Sequence, residues 1–138
     1  MKHEEIFKRT KDTHKAKEFF LDKLAYTTGP DRLKKAMDEY FEMINIIDVR
    51  DYDDFIKGHI PYAVHIPLEQ LDEQLAQFSK ERVNVVYSYC PLCQRAEKAA
   101  FILADKGYPV MVLIGGFKGW KKRDLDIIET DMSDYPGW

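Results

Sequence analysis

Three short runs constrain this chain more than any other feature: INIIDV (Ile44 to Val49), RVNVVYSY (Arg82 to Tyr89) and PVMVLI (Pro109 to Ile114). Each is rich in β-branched residues and nearly continuous in apolar character, the pattern of a strand buried on both faces. Helix-period segments separate them. LEQLDEQLAQF repeats Leu68, Leu71, Leu75 and Phe78, and RAEKAAFILADKG closes on Gly107, a residue suited to a helix C-terminus. Strands that alternate with helices pair in parallel through right-handed crossovers. The expected fold class is therefore α/β, an open parallel sheet with helices on both faces.

Upstream of the first run, TTGPDRLKKAM places Pro30 at a first helical position and Asp31 in the first turn. Leu33, Ala36, Met37, Tyr40 and Phe41 follow on one stripe. Further back, Asp12 is a plausible cap for THKAKEFFLDKLA, in which Ala16, Phe19, Phe20, Lys23 and Leu24 fall near one face. This reads as an extra amphipathic helix packed on the domain. The expected division is a helical extension over residues 1–27 and a compact domain over 28–138, with 138 residues enough for one hydrophobic core. A net charge of −3 offers no field to gather nucleic acid. MKHEEIFKRTKDTHK lacks the apolar centre of an export signal, and no run is long enough to span a bilayer. A cytoplasmic protein is expected, with neither nucleic acid nor membrane as a partner.

In that compartment thiols stay reduced, so the pair in VYSYCPLCQRA, Cys90 and Cys93, is read as chemistry rather than as a disulfide framework. Ligands of an open parallel sheet bind beyond the carboxyl ends of its strands, and Cys90 stands at such an end. The next helix is expected to begin near Gln94 or Arg95. CPLCQR is then a tight loop whose main-chain amides, with the helix N-terminus and Arg95, favour thiolate over thiol at Cys90. Metal binding would need further ligands, for which His59 and His65 are the available candidates, so no metal and no cofactor are expected.

Three chemistries compete for this loop. VVYSYCPLCQRAEKAAFILADKGY resembles the opening of a glutaredoxin, a strand running into Cys-Pro-x-Cys and a helix, over about 24 residues. In that family the motif comes early and a Val-Pro segment follows, whereas here about 80 residues precede it and no Val-Pro follows Gly107. A cysteine followed by an arginine also resembles the phosphatase loop, but only Pro91, Leu92, Cys93 and Gln94 intervene here, one residue fewer. The smaller ring suits a single sulfur atom better than a tetrahedral phosphate. Elsewhere, INIIDVRDYDDFIKGHIPYAVHIP resembles the upstream signature of the rhodanese family, with Asp-Val-Arg, then Gly-His-Ile-Pro and a second Ile-Pro. GYPVMVLIGGFKGWKK resembles its closing signature, Val-x-x-Leu-x-Gly-Gly-x-x-x-Trp.

That resemblance implies a sulfurtransferase in which Cys90 carries a persulfide and Pro91, Leu92, Cys93, Gln94 and Arg95 cradle it through main-chain N–H groups. A small-molecule donor such as thiosulfate or polysulfide would leave its outer sulfur on Cys90. A thiol, cyanide or a protein acceptor would then remove it. Asp48 and Arg50 match the Asp-Val-Arg element, which more often holds loop architecture, and Arg50 is expected to pair with Asp53 or Asp54. His59 is read as a hydrogen-bonded turn residue, Trp120 as core, Lys118 as solvated, and Gly115 and Gly116 as positions of close approach or positive φ.

One residue departs from the family pattern. Cys93 stands where glycine is frequent, either packed under the loop as a small side chain or acting as a thiol that resolves the Cys90 persulfide. A thiol-disulfide oxidoreductase using Cys90 and Cys93, and a regulatory module without turnover, are the alternatives to sulfur transfer.

Overall fold

A computed structural model describes residues 1–89 and 92–130 of the chain. The three apolar runs become the strands β2 (Ile44–Asp48), β4 (Val83–Tyr87) and β5 (Val110–Leu113). Two strands of only two residues, β1 (Thr27–Thr28) and β3 (Val64–His65), complete the sheet. All pairings are parallel and the order is β1-β5-β4-β2-β3, so β4 lies at the centre.

Alternate residues of each strand point to opposite faces, and this period of two sorts them into two cores. Ile44, Ile46, Val85, Tyr87 and Leu113 join Leu33 of helix α3 (Pro30–Glu39) and Phe117 and Trp120 of α6 (Gly116–Lys122). Ile47 and Val86 pack on the other side against Ala96, Ala99 and Leu103 of α5 (Arg95–Asp105), together with Leu71 and Phe78. The expected helices on both faces are thus present. Pro30 is the first residue of α3, as its fixed φ predicts, and Ala36 and Met37 pack beside the buried Leu33. Tyr40 and Phe41, predicted on the same stripe, fall beyond the helix end and are half exposed.

Two expectations need correction. Residues Leu68–Gln77 form not an α-helix but two 3-10 pieces joined at Gln74, whose φ of −121° and ψ of 29° are non-helical. The side-chain spacing explains this. Leu68 and Leu71 are three apart, as are Leu75 and Phe78, so each pair stacks at three residues per turn. The break absorbs the four-residue step between the pairs.

The second correction concerns the N-terminus. Helix α2 (Thr13–Tyr26) begins where Asp12 accepts the Lys15 N–H at 3.2 Å, but it is preceded by another helix, α1 (His3–Thr10), and neither helix buries a residue. Phe19, Phe20, Leu21 and Leu24 are each more than half exposed. An apolar stripe states that a helix wants a partner and not where that partner is. The extension meets the sheet at its foot, where α2 runs into β1 and contacts β5, and the Thr28 carbonyl accepts the Ile114 N–H at 2.8 Å. Among the described residues no helix is long and apolar enough to cross a membrane.

At the opposite end of the sheet, the buried Asn84 uses its whole amide. Its Oδ1 accepts from Asn45 Nδ2 and from the Ser79 N–H, both at 3.0 Å, while its Nδ2 donates to the carbonyls of Ser79 at 2.7 Å and Pro109 at 2.9 Å. An unmade buried hydrogen bond costs about 1–3 kcal/mol. Asn84→Ala strands several partners at once and is expected to lower the unfolding free energy by at least about 2 kcal/mol, read as a shift in the urea midpoint at unchanged slope.

Candidate active site

The chain leaving β2 turns to β3 on one side, and the chain leaving β4 turns to β5 on the other. The order of the sheet therefore reverses between β2 and β4, and beyond their carboxyl ends lies the crevice where such sheets bind ligands. Asp48 to Arg50 reach it from β2, and the cysteine loop reaches it from β4. Cys90 and Pro91 lie outside the described residues, but both flanks of the loop are defined.

The incoming flank is clamped by the start of α6. Gly115 and Gly116 have φ of 81° and 57°, the left-handed region that the sequence predicted for them. This double turn aims the Phe117 N–H at the Ser88 carbonyl, 2.8 Å away, and the Lys118 N–H at the Tyr89 carbonyl, 2.9 Å away. The approach leaves no room for a side chain: a Cβ on Gly116 would stand 2.6 Å from Ser88 O and 2.7 Å from Tyr89 O. The stem is thus held by two bonds that require glycine. Trp120, fully buried, anchors the far end of α6 by donating Nε1–H to the Asp126 carbonyl at 2.9 Å, and Lys118 is exposed, as predicted.

On the outgoing flank Leu92 is 92% exposed. Cys93 is exposed as well, which corrects the reading of a side chain packed beneath the loop, and its Sγ donates to Ser88 Oγ at 3.3 Å. Gln94, at φ 52°, turns the chain into α5 without capping it through its side chain. No acceptor among the described residues takes the N–H of Arg95, Ala96 or Glu97. Pro91 has no N–H, so the amides available to the loop are those from Leu92 onward.

The Arg95 guanidinium is forked onto carboxylates, and its charge also couples to Cys93 in the loop. Its two terminal nitrogens reach the two carboxylate oxygens of Glu69 at 2.6 Å each, one also lies 3.3 Å from Asp51, and its Nε donates to the Val49 carbonyl at 2.5 Å. This fork holds Glu69 below the usual carboxylate range, through its hydrogen bonds first, and raises Arg95 in return. Arg95 therefore braces α5 to the end of β2 and to the 3-10 segment. Nothing local in the sequence marks Asp51 and Glu69 as carboxylates that meet an arginine 44 and 26 residues later.

Beneath the crevice Arg50 pairs with Asp48 rather than with Asp53 or Asp54. Asp48 Oδ1 accepts the Arg50 main-chain N–H at 2.9 Å and its Nε–H at 3.0 Å, while Oδ2 accepts from a terminal nitrogen at 2.7 Å. The same nitrogen donates to the Gly58 carbonyl at 2.6 Å, and the guanidinium lies 4.3 Å from the Phe117 ring centroid. Burial pulls the Arg50 pKa down, but the hydrogen bond and charge of Asp48 outweigh it and the net shift is upward. Burial, reinforced by Asp48, also pushes the Tyr87 phenol well above its ordinary value, and its oxygen accepts the Ile60 N–H at 3.1 Å.

His59 is held as the sequence reading had it, with Nδ1 2.9 Å from the Phe55 carbonyl and its ring stacked on Phe55. His65 Nε2 lies 2.7 Å from the Arg50 carbonyl. Among the described residues no three of His, Cys, Asp and Glu converge as a metal site.

The model of the rhodanese-like domain matches residues 29–123. The chain belongs to the rhodanese-like domain family. It is 37% identical over 79 residues to the thiosulfate sulfurtransferase GlpE of Coxiella burnetii, covering 56% of this chain and 72% of that protein. It is also 33% identical over 86 residues to the HTH-type transcriptional regulator Rv0324 of Mycobacterium tuberculosis, covering 62% of this chain and 38% of that protein. The chain thus spans about two fifths of the regulator's length. Among solved structures, the BH2092 protein of Bacillus halodurans superposes with a TM-score of 0.79 at 32% identity, covering 86% of this chain and 88% of that one.

Two tests address how this rhodanese-like site is held together. Gly116→Ala forces a side chain into a left-handed position, itself about 1–2 kcal/mol, and onto two carbonyls. The expected result is a drop in thermal midpoint larger than that of Gly29→Ala, where a Cβ meets nothing within 4 Å. Because Glu69 titrates below its ordinary value when folded, the Arg95 fork contributes stability that is present above that value and lost as pH falls through the folded pKa. Denaturation midpoints of the wild type and Glu69→Gln are accordingly expected to differ at neutral pH and to draw together as pH falls from the ordinary glutamate value of about 4.3 through the lower folded value.

Proposed function

We propose that this chain is a cytoplasmic sulfurtransferase that moves sulfane sulfur through a persulfide on Cys90. Residues 28–138 act as the catalytic domain and 1–27 as a helical extension. The observation that carries this reading is the amino end of α5, whose first amides have no acceptor among the described residues, set at the carboxyl end of the central strand. Such an end stabilises negative charge, first the Cys90 thiolate and then the terminal sulfur of its persulfide.

In the first half-reaction the Cys90 thiolate attacks the outer sulfur of a donor such as thiosulfate or polysulfide. One sulfur–sulfur bond forms as another breaks, and with thiosulfate sulfite leaves. In the second half an acceptor thiolate, on a small molecule or a protein, takes the outer sulfur and restores Cys90. Amides fixed in advance by the clamped Ser88 and Tyr89 carbonyls supply the electrostatic part of catalysis, an effect worth about 10²–10³ in rate for a single donor. The roles of Asp48, Arg50, Gly115 and Gly116 are to hold that loop. His59 belongs to the same scaffold.

Arg95 supports the choice of sulfur over phosphate. A guanidinium already forked onto Glu69 and anchored to Val49 is poorly placed to grip a phosphoryl group. The sulfurtransferase GlpE among the relatives adds to the same reading.

Mass spectrometry tests it. Incubation with thiosulfate or polysulfide is expected to put about 32 Da on the chain, removable by cyanide, or to leave the oxidised product that a second thiol would form from it. Cys90→Ser is expected to take up no sulfur and to lose transfer to cyanide entirely. Retention of transfer by that variant overturns the proposal.

A further inference from the structure

We infer that Cys93 resolves the Cys90 persulfide, so that the protein reduces sulfane sulfur to hydrosulfide in addition to transferring it. The inference rests on the persulfide proposed above and adds a second activity at the same loop. Two residues separate the cysteines, the spacing at which one thiol can attack the sulfur of the other across a turn.

Cys93 is held and exposed in the way a resolving thiol requires. Its Sγ donates to Ser88 Oγ at 3.3 Å, which folds the outgoing flank back over the stem two residues before Cys90. Ser88 is itself fixed: it is 4% exposed, and its carbonyl accepts the Phe117 N–H at 2.8 Å. The Cys93 sulfur is therefore tethered to the rigid base of the loop, while its exposure leaves it open to an external reductant. A serine hydroxyl can accept from a thiol and donate to a thiolate, so the tether serves both protonation states. The left-handed turn at Gln94 then places the amino end of α5 just beyond Cys93, where the helix favours the thiolate.

The step balances without an outside oxidant. The Cys93 thiolate attacks Cys90 Sγ, the inner sulfur of the persulfide. A Cys90–Cys93 sulfur–sulfur bond forms, the bond from Cys90 Sγ to the outer sulfur breaks, and the outer sulfur leaves with the bonding pair and takes up the proton given up by the Cys93 thiol, departing as hydrosulfide. The two cysteine sulfurs are oxidised as the sulfane sulfur is reduced. A dithiol reductant in solution returns the pair to thiols.

The test treats wild type and Cys93→Ser anaerobically with thiosulfate and, separately, with inorganic polysulfide. Each sample is then desalted, and mass and released sulfide are measured with no thiol present. The expected wild-type product has lost two protons relative to a donor-free control, and with thiosulfate one equivalent each of sulfite and sulfide appears. Cys93→Ser is expected to hold the added sulfur and to release sulfide at least about tenfold more slowly, until a thiol is supplied.

If wild type and variant both keep the added sulfur, the resolving role is wrong and the persulfide stands. Should the wild type lose two protons while Cys93→Ser never gains sulfur, the pair is merely oxidised by the donor and the inference also fails. If neither protein changes mass with either donor, the persulfide itself is wrong, and this inference falls with it.

Discussion

The buried pair of Asp48 and Arg50 is the interaction on which the crevice is built. Asp48 ends β2, accepts four hydrogen bonds from three nitrogens of Arg50, and through its own carbonyl receives the Ile66 N–H beyond β3 at 3.0 Å. Arg50 in turn holds the Gly58 carbonyl at the end of α4 (Tyr52–Lys57), lies against Phe117 of α6, and presents its carbonyl to His65. Strand, short helix, edge strand and the Gly-Gly helix meet at one ion pair. Taking two charges out of water is costly, so the pair acts mainly as a specifier. It is satisfied in one arrangement of four elements and leaves an uncompensated charge in others.

Above this floor the cysteine loop is constrained from three directions. The α6 amides hold its entry, the Arg95 fork holds the helix that follows it, and Ser88 tethers Cys93 within it. The division of labour is chemical. The Arg50 and Arg95 guanidiniums are matched with carboxylates, and the described entry to the loop is held through main-chain N–H groups of α6.

What could be read in the sequence follows from how local each signal is. The three central strands were legible because β-branched runs of that length have few other uses, and the double glycine because positive φ has so few occupants. The strands β1 and β3 left no signal, since two residues such as Thr27–Thr28 or Val64–His65 carry no periodicity. Asp12 disclosed where α2 begins, yet no pattern in the chain says that its apolar stripe stays uncovered. The partner of Arg50 was within reach of sequence reasoning: residues two apart at the end of a strand point to the same face, which favours Asp48 over the acids of the following helix. Glu69 as the partner of Arg95 was not, because a contact spanning 26 residues depends on the finished fold.

The brevity of β1 and β3 has a consequence for how the protein behaves among its own copies. A parallel sheet with long outer strands offers a row of open amide and carbonyl groups to any extended segment that passes. Here each border of the sheet is only two residues long. A template of that length permits too few rungs to hold a foreign strand, so the sheet resists edge-to-edge aggregation without needing charges or prolines posted along its margins.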